Sequence, residues 1–264
     1  MAEIPNRTLS RGLKMLEMLS QNPDGLALFE LAQAMELPRS TAFNLARTLT
    51  DLDYVWFNAE TNRYTLGLKM FEVGSMAIQR IDILSVIRSC MTEINQQINE
   101  TMHLGIRTER DVLYIDKMES TRSIRMTSYV GRRVPMYTTA LGKAILAGLK
   151  DNYVGALYRT TEFNAQTKRT ISSRQELLRQ LALIRERGYA IERDESVQGI
   201  SCAAVALNDH QGQPMYAISV SVPSFRVTEM DLERYGRMLL AAKEKIERFS
   251  RAAQVTFPKE PEEI

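Results

Sequence analysis

Leu28, Leu31, Ala32 and Met35 recur with the spacing of one helical face. Pro38 ends that helix and opens the next, at a position where the missing N–H of a first-turn proline would be unpaired anyway. In the second helix Ala42, Leu45, Ala46, Leu49 and Leu52 make the apolar stripe, while Arg39, Ser40, Thr41, Asn44 and Arg47 fall mainly on the other side. Two runs of β-formers follow, 54–57 and 63–66, with the turn-like segment 58–62 between them. An earlier helix over 9–20 offers Leu13, Met15, Leu16 and Leu19 for packing on the pair.

The pattern changes after residue 68. A connecting helix is expected over 68–80, then a helix over 83–98 carrying Ile83, Ile87, Met91, Ile94 and Ile98. Strands are expected over 101–107, 112–118 and 123–129, the first two separated by the turn Glu109-Arg110-Asp111. Helices over 140–149 and 174–187 follow, the latter opened by Ser173 and Glu176 at capping-box spacing. Strands over 189–194, 200–208 and 215–222 come next, then a last helix over 229–252 starting at a Thr228 cap. Strands and helices mixed this way predict an α+β sensor domain, a sheet covered by helices. The expected division is 1–67, a connecting helix over 68–81, a second domain over 82–252 and a flexible tail over 253–264, where Pro258-Lys259-Glu260-Pro261-Glu262-Glu263 reads as disordered.

The first 67 residues have the layout of a winged helix-turn-helix, a module that lays one helix in the DNA major groove. The polar types on the second helix suit that task. Arg39 and Arg47 are able to grip guanine or phosphate with two parallel hydrogen bonds, Asn44 pairs with adenine, and Ser40 and Thr41 near the helix start suit phosphate oxygens. Arg63 is placed to touch phosphate from the wing. The plain alternative is a helical hairpin with a solvated polar face, and the hairpin of β-formers behind it is what argues against that. Charge gives no help overall: residues 1–80 hold eight basic and nine acidic side chains, a net charge of −1 where a non-specific DNA binder carries a positive excess. Only residues 38–50, with two arginines and no acid, are locally basic. Binding of double-stranded operator DNA would therefore lean on a few placed contacts and on pairing of two copies.

With 264 residues the chain has room for two domains and a sizeable core, and its net charge of +2 supplies no strong steering field. Cys90 and Cys202 form no CxxC pair and, with His103 and His210, no zinc spacing. Two unpaired cysteines, no apolar leader at the amino terminus and no run near 20 apolar residues point to a reducing, cytoplasmic setting without membrane contact. No nucleophile–base constellation is visible, so no catalytic residue, metal or cofactor is expected. The many methionines read as fillers of core and interface gaps.

Four blocks in order carry a family resemblance: Val134-Pro135-Met136-Tyr137-Thr138-Thr139-Ala140-Leu141-Gly142-Lys143-Ala144, then Arg187-Gly188-Tyr189, then Gly199-Ile200-Ser201-Cys202-Ala203-Ala204, then Ala217-Ile218-Ser219-Val220-Ser221-Val222-Pro223. On these, over about residues 7–250, the chain resembles the isocitrate lyase regulator (IclR) family of bacterial transcription factors. The middle, His103-Leu104-Gly105-Ile106 and 125–133, is similar to regulators of sugar-acid catabolism. The resemblance implies a winged helix-turn-helix, a linker helix and a GAF-like effector domain, working as a homodimer or homotetramer that answers to a small organic acid. Repression is expected by analogy with relatives; an activator of the same family, a small-molecule enzyme with a DNA-binding-like domain and a pure oligomerisation protein are the alternatives.

An effector pocket follows from the residues first. Thr139 is able to cap the helix starting at Ala140, where the free N–H groups near Ala140 and Leu141 make an anion site. Ser219 and Ser221, two apart in one strand, share a face, and Cys202 belongs to what should be a neighbouring strand. The resemblance then implies a pocket lined by Ala140, Leu141, Glu192, Cys202, Ser219 and Ser221. Glu192 stands where the relatives compared have Asp, which moves the acceptor and leaves open that it is a solvated strand residue. Without the resemblance, Cys202 reads as a small hydrophobe and the two serines as ordinary strand residues. Arg132-Arg133 reads as a solvated loop and Lys143 as a solvent-facing helix residue.

Overall fold

The apolar stripes of the first eighty residues close on one another. In the computed structural model, which describes residues 6–79, 82–253, 255 and 257, α1 (Arg7–Ser20) brings Met15, Leu16 and Leu19 to a core shared with α2 (Leu28–Ala34) and α3 (Arg39–Asp51). Leu31, Ala32, Met35, Ala42 and Ala46 complete its helical side. Val55 and Tyr64 close it from the hairpin of β2 (Val55–Asn58) and β3 (Arg63–Leu66). A two-residue strand, β1 (Leu26–Ala27), pairs antiparallel with β3 and makes the sheet order β1-β3-β2. Two residues are too few for a period, so sequence patterning passes over it.

Two apolar positions depart from expectation. Leu13 is 53% exposed, because α1 buries the face of Met15, Leu16 and Leu19 instead, and Leu52 is 56% exposed, because it is the C-cap beyond the last turn of α3. α4 (Leu68–Gln79) follows the hairpin; residues 80 and 81 of the expected connecting helix, like the acidic tail over 258–263, lie outside the described residues. Contacts divide the chain into two compact units, residues 1–82 and 83–264.

The second unit is built on one antiparallel six-stranded sheet, ordered β6-β5-β4-β9-β8-β7. Its strands are β4 (Thr101–Thr108), β5 (Asp111–Met118), β6 (Arg133–Pro135), β7 (Ala190–Arg193), β8 (Ile200–Asn208) and β9 (Pro214–Pro223). On one face lie α6 (Ala140–Ala147), α7 (Asp151–Leu157) and α8 (Arg174–Arg187), whose apolar side chains join Ala190, Cys202, Ala204, Ala206 and Ala217 of the sheet in one core. These small sheet residues let α6 approach closely. Alternation sends Ala203, Val205 and Leu207 to the other face, where α9 (Glu229–Ala252) packs on β8. α5 (Asp82–Ile98) buries Ile83, Ile87, Met91 and Ile94.

The caps are mostly as spelled in the chain. Thr228 and Asp231 form a capping box on α9, and Ser173 accepts the Glu176 N–H at the start of α8. Glu176 reaches back to the Ser172 N–H rather than to the cap itself. Gly188, at φ 84°, ends α8 in the left-handed conformation that glycine adopts freely.

The strand expected over 123–129 does not form. The edge position beside β5 is taken by β6, with Val112 opposite Val134. Segment 119–132 instead is a loop pinned by side chains: Arg226 Nη1 donates to Ile124 O (2.9 Å) and Lys117 Nζ to Ser128 O (2.8 Å). Two described residues within the stretch expected to be a flexible tail are held by the second unit. Phe257 is buried edge-on against Tyr216, ring centroids 4.7 Å apart, and Val255 O accepts from the His210 N–H. No helix among the described residues is long and apolar enough to cross a membrane.

Candidate functional site

The polar face of α3 is the first candidate. Pro38 is its N-cap, so Arg39 is the first helical residue. Arg39, Ser40, Asn44 and Arg47 are exposed, and Thr41 is half-buried. Arg47 lies 3.7 Å from Asp51 one turn on, a solvent-exposed pair worth little. Sequence reading passed over Phe43, which is 44% exposed and shares the 40, 43, 44, 47 face. An apolar ring amid polar helix residues is the signal that pointed to it.

Arg63 is placed differently from the expectation of a wing side chain reaching outwards. Its Nη1 donates to Gly25 O at 2.6 Å and lies 3.3 Å from Glu30 Oε2. Glu30 in turn accepts the Ala27 N–H at 2.7 Å. The guanidinium thus ties β1 and α2 to the hairpin.

The second candidate is a tight cleft in the second unit, with a free cavity volume of about 20 Å³, room for little more than a water. Ala140, Leu141, Glu192, Cys202, Ser219 and Ser221 all line it, with Tyr114, Met126, Thr139, Ser196 and two apolar neighbours. Thr139 accepts the Gly142 N–H at 3.0 Å, which caps α6 and leaves the N–H groups of Ala140 and Leu141 among the orphan donors of the helix start. Opposite lies one rung of the sheet: Glu192 on β7 faces Cys202 on β8, which faces Ser221 on β9. The cleft therefore joins a helix start, which favours an anion, to a wall of hydroxyl, thiol and carboxyl groups.

Two residues sit where sequence reading did not put them. Lys143 does not face solvent: it is fully buried, its Nζ donating to Glu195 Oε1 (2.6 Å) and Gln180 Oε1 (2.8 Å). The helix is buried along its whole length, so each of its side chains must find a partner inside. Glu192 is likewise no solvated strand residue but 2% exposed, its Oε1 accepting the N–H groups of Glu195 and Ser196. Tyr114 and Ser196 carry no signal in the sequence; Met126, read there as a filler of core or interface gaps, reaches the cleft from the loop expected to be a strand.

Burial pushes the Glu192 carboxyl from 4.5 up to about 7, against the pull of the Glu195 N–H and of Lys143. Burial also raises the Cys202 thiol well above its usual range, so it remains a protonated donor. For Glu192 the folded value lies above the unfolded one. Its contribution to stability is therefore fully present below about pH 4.5 and is lost as pH rises through 7. Denaturant unfolding is expected to show stability falling by roughly 1–3 kcal/mol between pH 5 and 8 from this group. Glu192→Gln should flatten that slope; an unchanged slope would place the titrating group elsewhere.

Among the described residues no group of three or more His, Cys, Asp or Glu side chains is placed to hold a metal ion.

Comparison with known proteins bears on both units. The family model of the IclR helix-turn-helix domain matches residues 8–58, and that of the bacterial transcriptional regulator IclR C-terminal domain matches residues 75–248. The chain is 36% identical over 221 residues to the HTH-type transcriptional regulator KdgR of Escherichia coli, covering 84% of each protein. It is 30% identical over 242 residues to the transcriptional repressor IclR of Escherichia coli, covering 91% of this chain and 88% of that one. The crystal structure of Thermotoga maritima IclR superposes with a TM-score of 0.77 at 31% identity, covering 92% of this chain and 98% of the other.

Proposed function

The chain belongs to the IclR family of transcriptional regulators, and from that premise we propose that it represses transcription from an operator that it releases, or grips differently, when a small organic acid fills the cleft of its second unit. Family members are DNA-binding regulators rather than enzymes, and they answer to small-molecule effectors. The observation that carries the effector reading is the gathering of the α6 start, Glu192, Cys202, Ser219 and Ser221 around one small cleft. Backbone donors suit a carboxylate. Hydroxyls and a Glu192 that is protonated part of the time near neutral pH suit the further oxygens of a sugar acid, the class that the middle-segment resemblance favours.

On the DNA side we assign contact to Arg39, Ser40, Thr41, Asn44 and Arg47, and add Phe43, whose ring is of the kind that meets a thymine methyl group. Arg63 serves to hold the wing in place. Two copies are expected on a two-fold operator. Trp56, Leu68 and Phe71, 71%, 81% and 74% exposed around one groove, offer apolar surface for such pairing. The ligand acts only if it binds the two states of the protein unequally, and residues 68–81 are the covalent route between the units.

Fluorescence anisotropy of labelled DNA from upstream of this protein's own gene tests the proposal, with and without pyruvate, lactate and gluconate. Binding tighter than to random DNA, altered by one of the acids, is the expected result. Asn44→Ala and Arg47→Ala should each weaken that binding by about 10–100-fold, the worth of a bidentate base contact, without changing the melting temperature. Equal affinity for both DNAs, or unaltered binding by both variants, would sink the assignment of α3. Rising transcription when the gene is deleted identifies repression; falling transcription overturns it in favour of activation.

A further inference from the structure

His103 lies just behind the cleft. It projects from β4, opposite Ser219 and diagonal to Ser221 across the β4–β9 pair, and is 1% exposed. Its Nδ1 is 3.3 Å from Ser221 Oγ and its Nε2 is 2.7 Å from Ser128 Oγ. The imidazole leans on the Tyr114 ring, centroids 4.7 Å apart. From the far side the Cys202 thiol donates to Ser221 Oγ at 3.2 Å. Four side chains from β4, β8, β9 and the loop over 119–132 thus form one hydrogen-bonded line, in which the Ser221 hydroxyl and the Cys202 thiol line the cleft.

Burial pushes the His103 imidazole down to about 3, so the ring is neutral at any working pH. A neutral imidazole has one N–H and one lone pair, and which nitrogen carries which decides what Ser221 presents. With the proton on Nε2, the ring donates to Ser128 and Nδ1 accepts a hydrogen bond from the Ser221 O–H. Ser221 then offers the cleft a lone pair and repels an acceptor oxygen. With the proton on Nδ1, Ser221 Oγ accepts from both His103 and Cys202, and its own O–H is left for the ligand. Charge selects between the two. The Lys117 ammonium, 2.8 Å from Ser128 O, lies on the Ser128 side of the ring, where a positive charge favours a lone pair on Nε2.

We infer that His103, held in its Nδ1–H form by Ser128 and Lys117, is a positioning residue that makes Ser221 a hydrogen-bond donor to a carboxylate or carbonyl oxygen of the ligand. This rests on the effector reading of the cleft and adds to it the polarity of one wall. Ser128, in the loop over 119–132, becomes part of the recognition machinery from behind the cleft wall.

The test has two arms. The chain has two histidines, so nitrogen-15 NMR of histidine-labelled protein resolves both rings, with His210→Gln giving the assignment. A protonated Nδ1 and bare Nε2 on His103 are expected without ligand; the opposite tautomer overturns the inference. The second arm titrates pyruvate and gluconate by calorimetry into wild type, Ser221→Ala, His103→Leu, His103→Asn and the double variant Ser221→Ala with His103→Leu. Ser221→Ala and His103→Leu should each weaken the bound acid about tenfold, the loss of one hydrogen bond to a charged group, and the double variant no further. His103→Asn, whose amide nitrogen takes the place of Nδ1 as a donor, should stay within about threefold of wild type. Should His103→Leu not fold, His103→Asn against His103→Gln, whose amide takes the Nε2 place, carries the same comparison. Wild-type affinity in His103→Leu, losses that multiply in the double variant, or an Asn variant as weak as the Leu one would each refute the role. If neither acid binds wild type although Nδ1 is protonated, it is the effector reading that fails, and this role falls with it.

Discussion

Lys143→Met lowers the stability of the protein by about 3–5 kcal/mol, and combining it with Glu195→Leu recovers most of that loss. The Lys143 ammonium is wholly buried, with Glu195 Oε1 at 2.6 Å and Gln180 Oε1 at 2.8 Å as acceptors. Glu195 is 7% exposed, and its Oε2 has no hydrogen-bond partner among the described residues. Truncating the lysine removes the cation paired with a carboxyl group that burial already raises above its usual range. What is lost is chiefly the compensation of a buried charge rather than the net worth of the pair, which is why removing both partners is milder than removing one. Urea unfolding reads it. Lowering the pH should shrink the loss in the single variant, since Glu195, raised already, then takes a proton and no longer needs the ammonium. A loss below about 1 kcal/mol at neutral pH would mean that water reaches the pair.

Gly142→Ala is expected to cost on the order of 3 kcal/mol, the upper end of overpacking, and to remove the response to any acid. A Cβ at Gly142 would lie 2.2 Å from Cα and O of Met136 and 2.6 Å from its carbonyl carbon. These are backbone atoms of the 3-10 turn Met136–Thr138, so no side chain can swing aside to make room. Either that turn or the start of α6 must shift, and with it the N–H groups of Ala140 and Leu141. Thermal melting gives the cost; DNA anisotropy with and without the acid that wild type answers to gives the function. A variant that melts normally and still responds would show that the helix start is not held by this contact.

What the sequence made legible follows the physics of each element. The helices of the first unit carry a period, and α8 and α9 carry both a period and a cap, with Ser173 and Thr228 at their starts as spelled. The rung Glu192, Cys202, Ser221 was legible only as residue types; the register that aligns them depends on pairing between strands far apart in the chain. Segment 123–129 carries Met126 and Tyr129 among polar residues and looked like a strand, yet strand-forming residues do not decide whether an edge is free, and β6 occupies it. Lys143 misled for a similar reason. A lysine on a helix faces water by default, and only the sheet on one side and α8 on the other leave α6 without a solvent face. His103 carried no local signal, because its partners lie 25 and 118 residues away.

The scarcity of positive charge on the reading head has a consequence for how the protein finds its target. The first eighty residues carry a net charge of −1, and the Arg63 guanidinium faces inwards to Gly25 and Glu30. Few phosphates are neutralised, so few counterions are released, and random DNA holds the head weakly. Of the millions of competing sites on a chromosome, each then sequesters the regulator only briefly. A small number of molecules then suffices to keep one operator occupied.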